Sequence, residues 1–153
     1  MEELIIEKID NFGGEYRWLS NFYNHRISYQ GVVYLSTEAA YQASKSLDEG
    51  VRLQFSDLNP RESKELGQTI EKRADWETYK ENVMYDVLEL KFKDRVLRKR
   101  LIETGDAELI EGNWWHDNIW GNCSCVNCIN IEGRNMLGKT LMLIRDQINA
   151  GML

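Results

Sequence analysis

Ser36-Thr37-Glu38-Ala39-Ala40-Tyr41-Gln42-Ala43-Ser44-Lys45 reads as a helix that carries chemistry on one face. Glu38, Gln42 and Lys45 stand at i, i+4 and i+7, so at about 3.6 residues per turn they project within roughly 60° of one another. A carboxylate, an amide and an amine thus share one stripe, while Ala39, Ala40 and Ala43 let neighbouring backbone approach. Ser36 or Thr37 can cap the first turn, and Glu38 falls where the helix dipole favours negative charge. A solvated Glu/Lys face is the plain alternative at such spacing. The flanking stretches argue for chemistry.

Upstream, Arg26 to Tyr34 reads as a hairpin turning at Gln30-Gly31, which delivers the chain into this helix. Before it, Glu15 to Tyr23 is aromatic and polar without a clean period, fit for a pocket wall or a packed loop. Leu4 to Ile9 alternates enough for a short strand, closed by Asn11-Phe12-Gly13-Gly14. Downstream, Asp48-Glu49-Gly50 interrupts, and Val51 to Phe55 predicts a short helix. Asn59 as N-cap, Pro60 at N1 and Glu62 at N3 form a capping box that opens a helix running to about Ile70.

Asp75 is the next N-cap candidate, ahead of a long helix with Trp76, Tyr79, Val83, Val87 and Leu90 on its apolar stripe. Val96, Leu97, Leu101 and Ile102 extend or restart it until Thr104-Gly105-Asp106. Glu108 to Glu111 is a short strand or a loop. Met136 to Ile148 places Leu137, Leu141, Ile144 and Ile148 on one face of a last helix. The pattern predicts a mainly helical α+β fold with small peripheral strands, in one compact domain over residues 1–153.

The composition, 42% hydrophobic and 29% charged, is that of a soluble globular protein, and no apolar run approaches membrane-span length. Met1 to Asp10 is acidic and lacks a basic start or a small-residue cleavage site, which places the chain in the cytoplasm. A net charge of −6 argues against wide, non-specific contact with duplex nucleic acid.

Gly112-Asn113-Trp114-Trp115-His116-Asp117-Asn118-Ile119-Trp120-Gly121 holds three of the five tryptophans beside an imidazole and a carboxylate. Rigid rings make a slot for a heteroaromatic ligand, and His116 and Asp117 can serve acid/base roles there. Core packing is the rival, although Asn, His, Asp and Asn in sequence would each need a buried partner. Gly133-Arg134-Asn135-Met136-Leu137-Gly138-Lys139 opens the last helix and can hold a phosphate at free N–H groups. A helix start capped by Asn135 explains it almost as well.

Ser36-Thr37-Glu38 with Tyr41-Gln42-Ala43 and Lys45, Trp76-Glu77, Val83-Met84, Asp117 with Trp120-Gly121, and Gly133, Asn135, Leu137-Gly138, Leu141-Met142 and Arg145 together resemble the NADAR family, also called YbiA-like. The resemblance runs from Leu19-Ser20-Asn21-Phe22 to Arg145. It implies a compact YbiA-like fold and hydrolysis of N-glycosidic bonds. The implied substrates are phosphoribosylamino pyrimidines of early riboflavin synthesis, or guanine carrying ADP-ribose in nucleic acid. By position in those motifs Glu38 and Asp117 would be the catalytic acids, Lys45 the amine with a proposed covalent role, and Trp76 a ring that holds the base. Asn21, Phe22, Gln42, Trp114, Trp120, Asn135 and Gly138 complete the expected substrate-binding set. The sequence departs from riboflavin-type bacterial members, whose loop before Gly133 is glycine-rich, in carrying Cys123-Ser124-Cys125-Val126-Asn127-Cys128; this leaves substrate choice open.

In both substrate kinds the sugar carbon is attached to an amino group outside the ring. Such a glycosylamine can leave through an oxocarbenium-like state aided by an acid and a carboxylate, or open to an imine that a neutral Lys45 attacks. Burial would promote that neutral form and an ionised Glu38 would oppose it. A module that binds NAD or ADP-ribose without turnover is the alternative function, and nothing in simple binding explains Glu38, Lys45 and Asp117 together.

The only three cysteines, Cys123, Cys125 and Cys128, lie in a C-x-C-x-x-C spacing with His116 seven residues upstream. Three thiolates and an imidazole could complete a closed tetrahedral Zn²⁺ site. Free thiols and a redox role are the other readings.

Overall fold

The computed structural model describes residues 5–153, an α+β structure that is mainly helical with strands of two or three residues. Packing divides the chain into two compact units, one of Arg17–Asp94, the other of the residues up to Tyr16 together with Arg95–Leu153. A 3₁₀ helix, Gly14–Leu19, occupies the start of the aromatic stretch and buries Trp18 and Leu19. Among the described residues no helix is long and apolar enough to cross a membrane.

In the Arg17–Asp94 unit the hairpin forms as the sequence predicts. Strands β2 (Ile27–Tyr29) and β3 (Val32–Tyr34) pair antiparallel with Tyr29 opposite Val32. Gln30 and Gly31 turn them at φ 50° and 86°, the paired positive values of the tight hairpin turn that matches strand twist. Helix α1 (Thr37–Ala43) follows, its first turn capped by the Ser36 hydroxyl, which accepts from the Ala39 N–H at 3.1 Å. Every residue of α1 is buried, packed against α3 (Pro60–Gly67) and α4 (Trp76–Lys91). A solvated Glu/Lys face is therefore ruled out.

Two boundaries move and one expected cap does not form, each for a local reason. Asp48-Glu49-Gly50 does not interrupt: the Asp48 carboxylate accepts from Gly50 and Val51 N–H, so α2 starts at Glu49 and runs to Leu53. Helix α3 has the full capping box but stops at Gly67, short of Ile70, because the Thr69 N–H and hydroxyl both bond the Leu66 carbonyl and tighten the chain into a turn. Asp75 precedes α4 without capping it by its side chain. Its carboxylate instead takes two bonds from the Arg73 guanidinium, at 2.6 and 3.0 Å.

The buried stripe of α4 is Trp76, Val83, Met84, Val87, Leu88 and Lys91, with Tyr79 and Leu90 half-buried at its border. Lys91 has no exposed surface. Its Nζ donates to the Ser20 carbonyl at 2.9 Å and lies 5.5 Å from the Tyr23 ring centre.

In the other unit the strand expected over Leu4 to Ile9 is reduced to β1 (Lys8–Ile9), with Leu4 outside the described residues; β1 pairs parallel with β4 (Glu108–Leu109). Helix α5 (Arg95–Glu103) restarts after α4 and buries Leu97 and Leu101, while Val96 and Ile102 face solvent. Strands β5 (Gly112–Asn113) and β6 (Asn122–Cys123) pair parallel at the two ends of the tryptophan loop. Helix α6 (Met136–Asn149) buries Leu137, Leu141, Ile144 and Ile148, the face predicted from spacing.

Candidate functional site

Glu38, Gln42 and Lys45 are all buried, at 8%, 6% and 9% exposure, although none is apolar. Helix α1 ends two residues before Lys45, so the third member of the expected stripe sits in a tightened turn, its N–H bonded to the Gln42 carbonyl at 3.2 Å. Gln42 Nε2 donates to Glu38 Oε1 at 2.8 Å. Among the described residues its own oxygen has no hydrogen-bond partner; it is packed against Gly67, where a Cβ would fall 2.0 Å from it. Lys45 Nζ donates to the Gly67 carbonyl at 3.2 Å. Burial draws the Lys45 amine below its ordinary pKa, and the nearby charge of Lys72 adds to this; Glu38 and Glu77 oppose it without reversing it. Burial thus outweighs Glu38 in the direction of the shift.

Trp76 is 3% exposed and packs against Tyr41, ring centres 5.1 Å apart. Asn21 is buried with both ends of its amide engaged: its oxygen accepts from the Thr37 hydroxyl at 2.7 Å and Nδ2 donates to Met84 sulfur at 3.3 Å. Phe22 is half exposed, with Lys64 Nζ 5.9 Å from its ring centre.

Asp117 lies in the other unit, on the loop between β5 and β6. Asn113, 1% exposed, holds its main chain from both sides: Oδ1 accepts from the Asp117 N–H at 3.1 Å and Nδ2 donates to the Asp117 carbonyl at 2.9 Å. The Asp117 carboxylate accepts from the N–H groups of Ile119 and Trp120, at 3.1 and 2.9 Å. Asn118 Oδ1 in turn accepts from the Cys123 N–H at 2.9 Å. Trp114 is 72% exposed, which removes it from the core, and Trp120 is half-buried.

The start of α6 differs from both expectations. The N–H groups of Arg134, Asn135, Met136 and Leu137 are bonded to the carbonyls of Asn118, Gly121, Ile119 and Trp120, so they are not free for a phosphate. Asn135 is left-handed (φ 49°) and does not cap with its side chain, which accepts from the Glu111 N–H and donates to the Leu109 carbonyl. Gly138 faces the same carbonyl; a Cβ there would fall 2.0 Å from Leu109 oxygen. In this structure Asn135 and Gly138 join α6 to β4.

His116, Cys123, Cys125 and Cys128 converge, their ligand atoms all within 4.8 Å of one another, a group that could hold a metal ion. His116 Nδ1 lies 3.3, 3.5 and 4.0 Å from the sulfurs of Cys125, Cys128 and Cys123. Desolvation raises Cys123, yet hydrogen bonds from Cys125, the His116 backbone and Cys128 hold it down to about 7, while desolvation and the neighbouring thiols push Cys128 up to about 11.

A model of the NADAR domain matches residues 10–149. The chain belongs to the NADAR family. Among its curated relatives, an N-glycosidase of Nostoc punctiforme is 36% identical over 140 residues, covering 87% of this chain and 86% of that protein. The N-glycosidase YbiA of Shigella flexneri serotype 5b is 32% identical over 155 residues, 97% of this chain and 93% of that one. The NMR structure of the E. coli protein YbiA superposes with a TM-score of 0.81 at 30% identity, over 97% of this chain and 89% of that chain.

For this NADAR chain the structure gives roles to residues outside the expected site set. Asn113 and Asn118, flanking Asp117, hold its loop, and the signal was present as repeated Asn and Asp in a turn-forming stretch. Lys91 gave no signal, since a lysine within a helix is ordinarily exposed.

Proposed function

We propose that this NADAR protein hydrolyses the N-glycosidic bond between a ribose, bearing phosphate or ADP, and the exocyclic amine of a heteroaromatic base. The observation that carries the reading is the buried Lys45 amine, shifted toward its neutral form beside Glu38 and Gln42. A solvated surface lysine would be a spent nucleophile, fully protonated at neutral pH; a desolvated one can attack carbon.

In the reaction as we read it, the glycosylamine opens to an imine at the sugar carbon, and the Lys45 nitrogen adds to that carbon. The exocyclic amine departs with a proton delivered by Glu38 or Asp117, leaving a lysine-sugar Schiff base. Water then adds to the same carbon, releasing the free sugar and returning the Lys45 amine. Trp76, Trp114, Trp120 and Phe22 are the rings offered to the base and Asn21 and Gln42 its polar contacts in this reading, while Asn135 and Gly138, which join α6 to β4, support the site from outside it. The thiol and imidazole cluster enters it as a structural zinc site, because four protein donors leave no open coordination position for water.

The test is release of free sugar from a phosphoribosylamino pyrimidine and from ADP-ribosylated guanine in an oligonucleotide, with Glu38→Gln as control. Turnover of one or both, lost in the control, is expected. Tight binding of ADP-ribose without sugar release would make the protein a binding module.

A further inference from the structure

We infer that a Zn²⁺ ion held by His116, Cys123, Cys125 and Cys128 is the clamp that keeps Asp117 in position; the importance of that position rests on the glycosidase reading above. Zn–S bonds of about 2.3 Å and Zn–N bonds of about 2.0–2.1 Å set the N to S edges of a tetrahedral site at roughly 3.5 Å. The three separations from His116 Nδ1 bracket that value. His116 is held at φ 69°, a left-handed conformation uncommon for a residue with a Cβ and maintained only where surroundings impose it. The Cys125 N–H points at Cys123 sulfur at 3.5 Å, the kind of outer bond that steadies a metal-bound thiolate.

The segment that supplies Cys125 and Cys128 has little else to hold it. It carries no helix or strand, and its apolar side chains Val126, Ile129 and Ile131 are 84%, 68% and 53% exposed, while Cys128 is buried. Its internal backbone bonds, Cys128 to Cys125 and Ile131 to Cys128, are local turns. A segment without a core of its own needs a staple, and a metal is the staple this donor set suits. The ion would join this segment to His116, the residue before Asp117, and to Cys123, which pairs with Asn113 in the β5–β6 register. Asn113 and Asn118 connect those two points to the Asp117 main chain and to the turn that its carboxylate closes. Each thiol gives up its proton when the metal binds, so the clamp closes only on reduced cysteines.

The full-length protein, purified without chelator, is analysed for zinc, and apoprotein is titrated with Co²⁺ to read thiolate-to-metal charge transfer. About one zinc per chain and a three-thiolate cobalt spectrum are expected. Cys125→Ser should lose the metal, and Cys125→His should restore it. Hydrogen exchange over residues 113–123 should speed at least tenfold in Cys125→Ser, with α5 and α4 unchanged, and kcat should fall about tenfold with KM little altered. Recovery of both in Cys125→His would separate clamping from a general loss of fold. Failure of the reduced protein to take up zinc or cobalt overturns the site. Metal uptake with unchanged exchange around Asp117 in Cys125→Ser overturns the clamp, even if the protein proves not to be a glycosidase.

Discussion

Glu38 and Asp117 are carboxylates held in opposite ways. Glu38 sits on a short helix buried on every side and receives the Gln42 amide of its own helix. Asp117 sits on a half-exposed loop and is fixed by backbone N–H groups of the turn that it closes. The first arrangement removes water, which is how Lys45 comes to have a lowered pKa; the second supplies no dry surroundings but aims the group through directional bonds. Burial tunes reactivity, and loop wiring fixes direction.

The sharpest way to break this comparison is Lys45→Met. If burial prepares an amine nucleophile, borohydride reduction during turnover traps the sugar on the Lys45 peptide of the native protein, as read by mass spectrometry. The variant should lose trapping and more than the ~10²-fold typical of removing one acid/base group. The pH profile carries the same message with a definite sign: kcat/KM falls as pH drops through the Lys45 pKa, and that limb lies below the ordinary lysine range. A variant that still turns over at native rate returns the reaction to the two carboxylates.

Next in size, Glu38→Gln and Asp117→Asn should each lower kcat by about 10²-fold with the fold kept. Asp117→Ala separates the two modes of holding: it also removes the acceptor of two N–H groups, and should cost about 1 kcal/mol in thermal melts. Asp117→Asn should not, because its amide oxygen can still close the turn. Equal melting of the Asn and Ala variants would mean that the turn does not depend on its side chain.

An effect on stability alone tests burial apart from chemistry. Desolvation lowers Lys91 to about 7 from 10.5. Between those values the unfolded chain binds more protons, so this lysine makes stability rise with pH, and its full cost is present below about 7. Native stability minus that of Lys91→Met should therefore increase by about 1–2 kcal/mol between pH 7 and 9 in denaturant titrations. A flat difference would show the amine to be solvated.

What was legible in the chain follows the same division. The hairpin at Gln30-Gly31, the capping box at Asn59 and the apolar faces of α4 and α6 are local patterns, and the structure has them. The Lys45 turn was misread as a continuing helix because nothing between Ser36 and Lys45 breaks a helical pattern; the helix ends where the Lys45 and Ser46 N–H groups bond back only three residues, to Gln42 and Ala43, and the Ser44 hydroxyl takes the Ala40 carbonyl. The family was legible because its motifs are spread along the chain, and the model match over residues 10–149 bears this out. The α6 start was misread for a different reason. Glycines and cations beside a helix look alike whether its N–H groups meet a ligand or the chain's own carbonyls, and here those carbonyls lie some fifteen residues upstream.

Those occupied N–H groups form a relay. The peptide joining Asn118 to Ile119 accepts from Arg134 N–H at its carbonyl and donates to the Asp117 carboxylate at its nitrogen, and the peptide joining Ile119 to Trp120 does the same from Met136. Each peptide is polarised by the bond it receives, which strengthens the one it gives. The positive end of α6 thus reaches Asp117 through two conducting peptides, although no residue of the helix touches the carboxylate through these bonds. Mechanically the same wiring is a lever: a shift of the first turn of α6 is delivered to Asp117, so substitutions at Arg134 or Met136 that disturb that turn would re-aim a carboxylate seventeen or more residues away in sequence.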